Sequence, residues 1–465
     1  MKIAIIGGGP GGYVAAIKAA QLGAKVVLVE KEYIGGTCLN TGCIPTKVLL
    51  HSTEIYSQLK RESEALGLKI KELELDWEGL QDRKNLAVEQ LVEGVRNLLS
   101  ANKVEVIEGE AKFTSKNNIQ VKTKEGNLRN IKFDCGIVAT GSNPLIIPIP
   151  GKDLEGVITS REAMSLEKAP QSICIIGGGV IGVEFANIYS NLGVEVTIIE
   201  MLPEIIANMD REIVSSIEET LIENGVKIYK STSVEEISKM KEGLKVKAKV
   251  QDGTFIEVES EKVLMATGRK PAGDGLGLEE IGVEVKKGAI QVDNLFQTDL
   301  PNIYAIGDCT GGIQLAHVAS SSGIMVAQLI MGKGKAVDFK TIPYCVYTKP
   351  ELAGVGLTEE EAIRKGLKVK IGRFPMYANG KSVIMGEVVG LIKIIAGEDT
   401  GQVLGVHISG NGATELILSA GIAIRLESTV DELLTTVYAH PTIGEGIHEA
   451  AEAVFGKAIH LPEEE

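Results

Sequence analysis

Ile3-Ala4-Ile5-Ile6 is a short apolar run that leads straight into glycines. A run of this length, bounded this way, predicts a buried strand rather than a membrane span or a signal peptide. Ile173-Cys174-Ile175-Ile176 repeats the pattern, and the likeness continues. Ile3 to Gly12 reads IAIIGGGPGG and Ile173 to Gly182 reads ICIIGGGVIG, at an offset of 170 residues. The same offset pairs Leu22-Gly23 with Leu192-Gly193, and Val27 to Glu30 with Thr197 to Glu200. Each copy predicts a strand, a glycine turn, a helix and a second strand ending in Glu, which is a βαβ unit. Further apolar runs, Ile137-Val138-Ala139, Val263-Leu264-Met265-Ala266 and Ile303-Tyr304-Ala305-Ile306, predict strands ending near Gly141, Gly268 and Gly307. Asn143 to Gly151 and Pro271 to Gly277 read as crossover linkers. From about Pro343 the pattern alternates, as in Gly390 to Ile395 and Gln402 to Ile408, and predicts an antiparallel sheet. Helices are predicted over Thr414 to Leu426 and Gly444 to Val454.

Both glycine turns read G-x-G-x-x-G, and each residue has a physical task. Gly7 and Gly177 make the tight turn, Gly9 and Gly179 let backbone approach a pyrophosphate, and Gly12 and Gly182 let the helix pack on its strand. The helix N-terminus then faces the phosphates. Glu30 and Glu200, each 18 residues past the third glycine, are placed to accept hydrogen bonds from ribose hydroxyls. One such turn is weak evidence; two in matching contexts predict that the chain binds two dinucleotides. A carboxylate at Glu200 suits a free 2′-hydroxyl and repels a 2′-phosphate, and no Arg follows until Arg211. NAD is therefore favoured over NADP. Asp308, ending the third of the apolar runs, suits a polyol or ribose, although alone it reads as a turn residue.

Directly after the first unit comes Gly-Gly-Thr-Cys-Leu-Asn-Thr-Gly-Cys-Ile-Pro-Thr-Lys, from Gly35 to Lys47. A disulfide between Cys38 and Cys43 closes too small a loop to add much stability. Pro45 and the run Lys47-Val48-Leu49-Leu50 place Cys43 at or just before a helix start, where a thiolate is favoured. A metal pair is disfavoured because no second Cys/His cluster has ligand spacing. Unrelated core cysteines would not need Gly35, Gly36 and Gly42 around them. The pair is read as a redox dithiol. Lys47, one turn past Cys43, faces the same site and suits a developing negative charge. Cys135, Cys174, Cys309 and Cys345 are read as packed thiols, a usage that fits a reducing cytoplasm.

At 465 residues the chain is too long for one core. Its 44% hydrophobic and 24% charged residues are ordinary for a globular protein with no membrane span. A net charge of −14 with no basic stripe argues against a nucleic-acid partner. His440 and Glu445 have the makings of a base and its orienting carboxylate, whereas His51, His407 and His448 read as structural or surface residues.

Together these motifs resemble the flavoprotein disulfide reductases, and among them the dihydrolipoamide dehydrogenase branch. The likeness runs from the first strand to Phe455-Gly456-Lys457. The motif C-L-N-x-G-C-I-P-[ST]-K is typical of the lipoamide enzymes, while glutathione and trypanothione reductases more often read C-V-N-V-G-C-V-P-K-K. His440-Pro441-Thr442 with Glu445 resembles the C-terminal H-P-T-x-x-E signature. The resemblance implies an α/β fold with two Rossmann-like domains, for FAD and NAD, and a C-terminal α+β dimerisation domain. It places the FAD domain in 1–146 and 273–342, the NAD domain in 147–272 and the dimerisation domain in 343–465. It assigns Gly7, Gly9, Gly12, Glu30, Gly36, Thr37, Lys47, Ala111, Thr140, Gly141, Asp308, Ala316 and His317 to FAD. It assigns Gly177, Gly179, Val180, Gly182, Glu184, Glu200, Val234 and Gly268 to NAD, and pairs Glu184 with Lys47. The implied catalytic set is Cys38, Cys43 and Lys47, completed by His440 and Glu445 of a partner subunit.

The resemblance further implies a homodimer that oxidises dihydrolipoamide on the lipoyl domains of a 2-oxoacid dehydrogenase, acetoin or glycine-cleavage complex, with no resident metal. The alternatives are another disulfide reductase of the glutathione-reductase type, against which Val180 and Glu200 argue, and a non-catalytic flavin-binding subunit, against which the intact cysteines and His440 argue. Mercuric reductase is disfavoured because no cysteine follows Cys345. The chain departs from the family pattern at Ala272 to Gly277, at Val318 to Ser322, and at 379–382 and 388–390.

Overall fold

The structure is a computed structural model that describes residues 1–334 and 339–462. Residues 335–338 and 463–465, within the expected segments 273–342 and 343–465, lie outside the described residues. The first sheet contains β1 (Lys2–Ile6), β2 (Lys25–Glu30), β3 (Glu105–Ser115), β4 (Asn118–Thr123), β5 (Leu128–Lys132) and β6 (Cys135–Val138). The helices between them are α1 (Pro10–Gln21), α2 (Gly36–Thr41), α3 (Cys43–Glu62) and α4 (Trp77–Ala101). Strand order is Ile303–Ala305, β6, β1, β2, β3, β4, β5, parallel as far as β3 and antiparallel beyond it. The strand Ile303–Ala305 thus returns to the sheet that opened the chain. Ile3, Ile5, Leu28 and Ile137 are wholly buried because helices cover the central strands, which is why these strands read as unbroken apolar runs. The helix Ala316–Ile330 lies on α1 backbone to backbone: a Cβ on Gly323 would sit 2.6 Å from the Gly11 carbonyl oxygen.

The second unit, built around a second parallel sheet, repeats the plan. Its elements are β7 (Ser142–Pro144), β8 (Val157–Thr159), α5 (Ser160–Ala163), β9 (Ser172–Ile176), α6 (Val180–Asn191), β10 (Glu195–Ile199), α7 (Arg211–Glu223) and β11 (Lys227–Tyr229), followed by the meander β12 (Thr232–Lys239), β13 (Leu244–Val250) and β14 (Phe255–Ser260), then β15 (Lys262–Met265) and β16 (Arg269–Pro271). The parallel order is β11, β10, β9, β15, β8. The two segments expected as linkers are not free crossovers. β7 and β16 pair antiparallel, with Arg269 opposite Pro144 and Pro271 opposite Ser142, so the passages in and out form one ribbon. A two-stranded ribbon leaves each strand an unpaired side, which tolerates proline.

The third sheet is antiparallel as expected, in the order Tyr344–Val346, Leu352–Gly356, Val403–Ser409, Leu391–Gly397, Val369–Pro375. Helices Ala413–Arg425 and Glu445–Ala453 follow. Lys393 of this sheet is 1% exposed and reaches Asp210 at 3.0 Å and Glu359 at 2.7 Å. Asp210 also caps α7, so a buried ion pair anchors the third sheet to the second. Removing one partner of such a pair costs about 3–5 kcal/mol. Among the described residues no helix is long and apolar enough to cross a membrane, and no cluster of metal ligands is present.

Candidate active site

The two glycine turns open on one cavity of about 1730 Å³. That exceeds the roughly 300–1,000 Å³ of ordinary small-molecule pockets. Gly7 and Gly177 adopt φ of +105° and +110°, a region closed to most side chains. A Cβ on Gly12 would lie 1.8 Å from the Gly7 carbonyl oxygen, and one on Gly182 2.0 Å from that of Gly177. Gly12 and Gly182 do not line the cavity; they serve helix packing, the task the spacing predicts, and touch no ligand space. Gly9 and Gly179 do line it, and a Cβ on Gly179 would project into open space. Both are N-caps without a side-chain hydrogen bond, so the first amides of α1 and α6 stay available to an anion. Two such cradles fit two diphosphates.

Glu30 and Glu200 brace their turns. Glu30 accepts from the amides of Gly8 at 2.6 Å and Glu32 at 2.7 Å. Glu200 accepts from the amides of Gly178 and, at 2.7 Å, Leu202. Both carboxylates also line the cavity, together with Gly36, Thr37, Ala111, Thr140, Gly141, Asp308, Ala316 and His317 on one side and Val180, Val234 and Gly268 on the other. Asp308 accepts from the Ser142 hydroxyl, which also receives Arg269 Nε at 2.7 Å. The Thr140 hydroxyl donates to Ala272 O at 2.7 Å, and His317 Nε2 meets Pro343 O at 3.0 Å.

Between the cradles stand the two cysteines. Cys38 lies in α2, Gly42 separates the two helices, and Cys43 is the first residue of α3. The side chains hydrogen-bond to each other, with opposite consequences. Donation by the Cys38 thiol, aided by the Lys47 charge, lowers Cys43 to about 7 against the opposing effect of burial. Cys38, as the donor and buried, is raised well above the ordinary range. The pair therefore holds its thiolate on Cys43. Lys47 Nζ donates to both oxygens of Glu184 at 2.7 Å and lies 4.7 Å from the Tyr347 ring centre. Glu184 is 3% exposed and also receives the Tyr347 amide at 3.2 Å.

His440 and Glu445 form the expected pair, Nδ1 to Oε1 at 2.9 Å, but neither lines the cavity of its own chain. The His440 side chain is 79% exposed. Cys345 packs against the core of the third sheet, as expected, and also reaches the cavity. Cys174 and Cys309 are fully buried, whereas Cys345 lines the cavity, and burial pushes its thiol up to about 11. Tyr347 and Ser142 are site residues that the sequence does not reveal. Neither carries a local signal, because their partners lie far away along the chain; Arg269 has one, as the first residue of an Arg-x-Pro triplet.

The model of the pyridine nucleotide-disulphide oxidoreductase family matches residues 1–323, and the model of that family's dimerisation domain matches 342–451. A dihydrolipoyl dehydrogenase of Bacillus subtilis is 41% identical, with 99% of each chain covered. One of Thermus scotoductus is 43% identical over 98% of each chain. Among solved structures, LpdA of Mycobacterium tuberculosis superposes with a TM-score of 0.90 at 28% identity, covering 97% of this chain and 99% of that one. The HOCl-induced flavoprotein disulfide reductase RclA of Escherichia coli gives 0.87 at 29%, with the same coverage.

Proposed function

The chain belongs to the pyridine nucleotide-disulphide oxidoreductase family, and from that premise we propose that it is a homodimeric dihydrolipoyl dehydrogenase using FAD and NAD. The net reaction converts a dihydrolipoyl dithiol and NAD⁺ to the cyclic disulfide, NADH and a proton. Bound flavin supplies a two-electron relay between the dithiol and the nicotinamide. The first cradle, with Glu30, Thr37, Lys47 and Asp308, holds the flavin dinucleotide, and the second, with Val180 and Glu200, holds NAD. Gly12 and Gly182 keep each cradle's helix against its turn.

One observation carries this reading: Cys38, Cys43 and Lys47 together line the one cavity on which both cradles open. In the oxidised enzyme the two sulfurs are joined. His440 of the partner subunit, oriented by the partner's Glu445, takes a proton from one substrate thiol. The thiolate attacks Cys38 and Cys43 departs. Cys43 is the better leaving group because its thiolate is the stabilised one. The second substrate sulfur then displaces Cys38 and releases the cyclic disulfide, leaving both enzyme cysteines reduced. Lys47, held by Glu184, keeps a positive charge beside Cys43.

The exposure of the His440 pair outside its own chain's cavity supports completion of each site by the other subunit. Lipoyl domains of a multienzyme complex are the fitting physiological substrate, and a reducing compartment such as the cytoplasm fits a chain with four scattered cysteines besides the Cys38 and Cys43 pair. Purified holoenzyme given free dihydrolipoamide and NAD is expected to form NADH. Failure to form it, with both cofactors bound, would remove the lipoamide assignment.

A further inference from the structure

Arg161 has no role by its motif context, yet it lines the shared cavity. It belongs to the short helix α5, which follows the edge strand of the second sheet. Its guanidinium crosses to the first unit, where Nη2 lies 3.3 Å from Glu32 Oε2. Glu32 is two residues past Glu30, the carboxylate that braces the first glycine turn. The contact is long for a charge-assisted hydrogen bond, which prefers roughly 2.7–2.9 Å. It is also incomplete: Arg161 Nε is buried and has no hydrogen-bond partner.

A buried guanidinium N–H without an acceptor is unfavourable, and native proteins rarely leave one so. The fork of an Arg side chain matches two oxygens of a phosphate. Here the fork lines the cavity on which the first cradle opens, beside Glu32. Arg269 faces the same cavity but is already engaged by Ser142 through Nε and Nη2. Among these two guanidiniums, Arg161 is the one with donors to spare.

We propose that Arg161 binds the diphosphate of the dinucleotide held in the first cradle, reaching across from the second unit. This rests on the reading of that cradle as the flavin site. It makes the flavin a bridge between the two units, with Glu32 a weak placeholder that phosphate oxygens replace.

The test is equilibrium titration of apoprotein with FAD, followed by nucleotide binding to the reconstituted enzyme. R161Q is expected to raise the Kd for FAD about tenfold or more, the scale of one charge-assisted hydrogen bond. R161K, which keeps the charge and loses the fork, is expected to fall between R161Q and the parent. E32Q is expected to leave the Kd unchanged or lower, and the Kd for NAD is expected to stay unchanged in all three. Three results would overturn the proposal: R161Q within twofold of the parent, equal losses in R161Q and E32Q, which would mark a mere latch, or a loss confined to NAD. If R161Q does not fold, R161K against E32Q decides by the same ordering. A parent that binds no FAD would instead refute the flavin reading itself, a separate outcome visible in the first titration.

Discussion

The two βαβ units make the same cradle and do different work. Each has a 12-residue helix with a glycine as its N-cap, a glycine with φ above +100°, and a Glu that accepts the amide of the middle glycine. They part company where the repeat ends. After Glu30 the chain turns through Gly35 and Gly36 into the cysteine helices; after Glu200 it turns into Met201-Leu202-Pro203 and α7. The helices differ too. α1 lies against the helix Ala316–Ile330 and stays partly exposed, while α6 is buried from Gly182 to Asn191 and presses Glu184 onto Lys47 of α3. A duplicated scaffold supplies binding, and the chemistry lies in what was added after one copy.

The sharpest break of that comparison is C43S, which removes what the first unit has and the second lacks. Dihydrolipoamide oxidation is expected to fall by at least about 1,000-fold, the scale of losing a nucleophile or its partner. NADH-driven reduction of an artificial acceptor is expected to persist, because both cradles remain. Turnover of dihydrolipoamide at the parent rate would refute the dithiol scheme.

Next in size is a matched pair of lesions. G12A and G182A each force a Cβ into a carbonyl oxygen, at 1.8 and 2.0 Å. Overpacking of this kind costs about 1–3 kcal/mol, or roughly 5- to 150-fold in affinity. G12A is expected to weaken FAD retention, measured as flavin released on ultrafiltration. G182A is expected to weaken NAD binding and leave the flavin in place. Equal flavin loss in both would erase the division of labour.

The smallest effects lie where α6 meets α3. In the reduced enzyme, alkylation of Cys43 is expected to rise through a midpoint near pH 7, as its thiolate forms. Glu184 raises the Cys43 pKa and Lys47 lowers it. E184Q is therefore expected to move the midpoint down and K47M to move it up, each by roughly one unit. Shifts of the same sign would show that the two residues do not act on Cys43 through their charges.

How much of the molecule is legible in the chain depends on how local the physics is. The glycine turns, the Glu residues that end their strands and the helix start at Cys43 are fixed by neighbours within a few tens of residues, and all can be read directly. The contact of Lys47 with Glu184 spans 137 residues and is reached only through the family resemblance. The β7–β16 ribbon escapes the sequence because its prolines argue for loop, and the partner that makes Ser142–Pro144 a strand is the distant segment Arg269–Pro271. α4 is absent from the sequence-based expectations although it is amphipathic, with Leu80, Val95 and Leu99 inward. Its start signal, Asp76 accepting the Gly79 amide, is local and could have found it. Cys345 packs as its apolar neighbours suggest, but its place on the cavity wall is set by the fold and has no local signal.

The most direct measurement is a count of free thiols in denatured protein, before and after anaerobic reduction of the holoenzyme by NADH, with the labelled peptides mapped. The chain has six cysteines, so four are expected to react in the oxidised enzyme and six after reduction, the two gained being Cys38 and Cys43. An unchanged count, or a gain mapped to Cys345, Cys309 or any other position, would contradict the account.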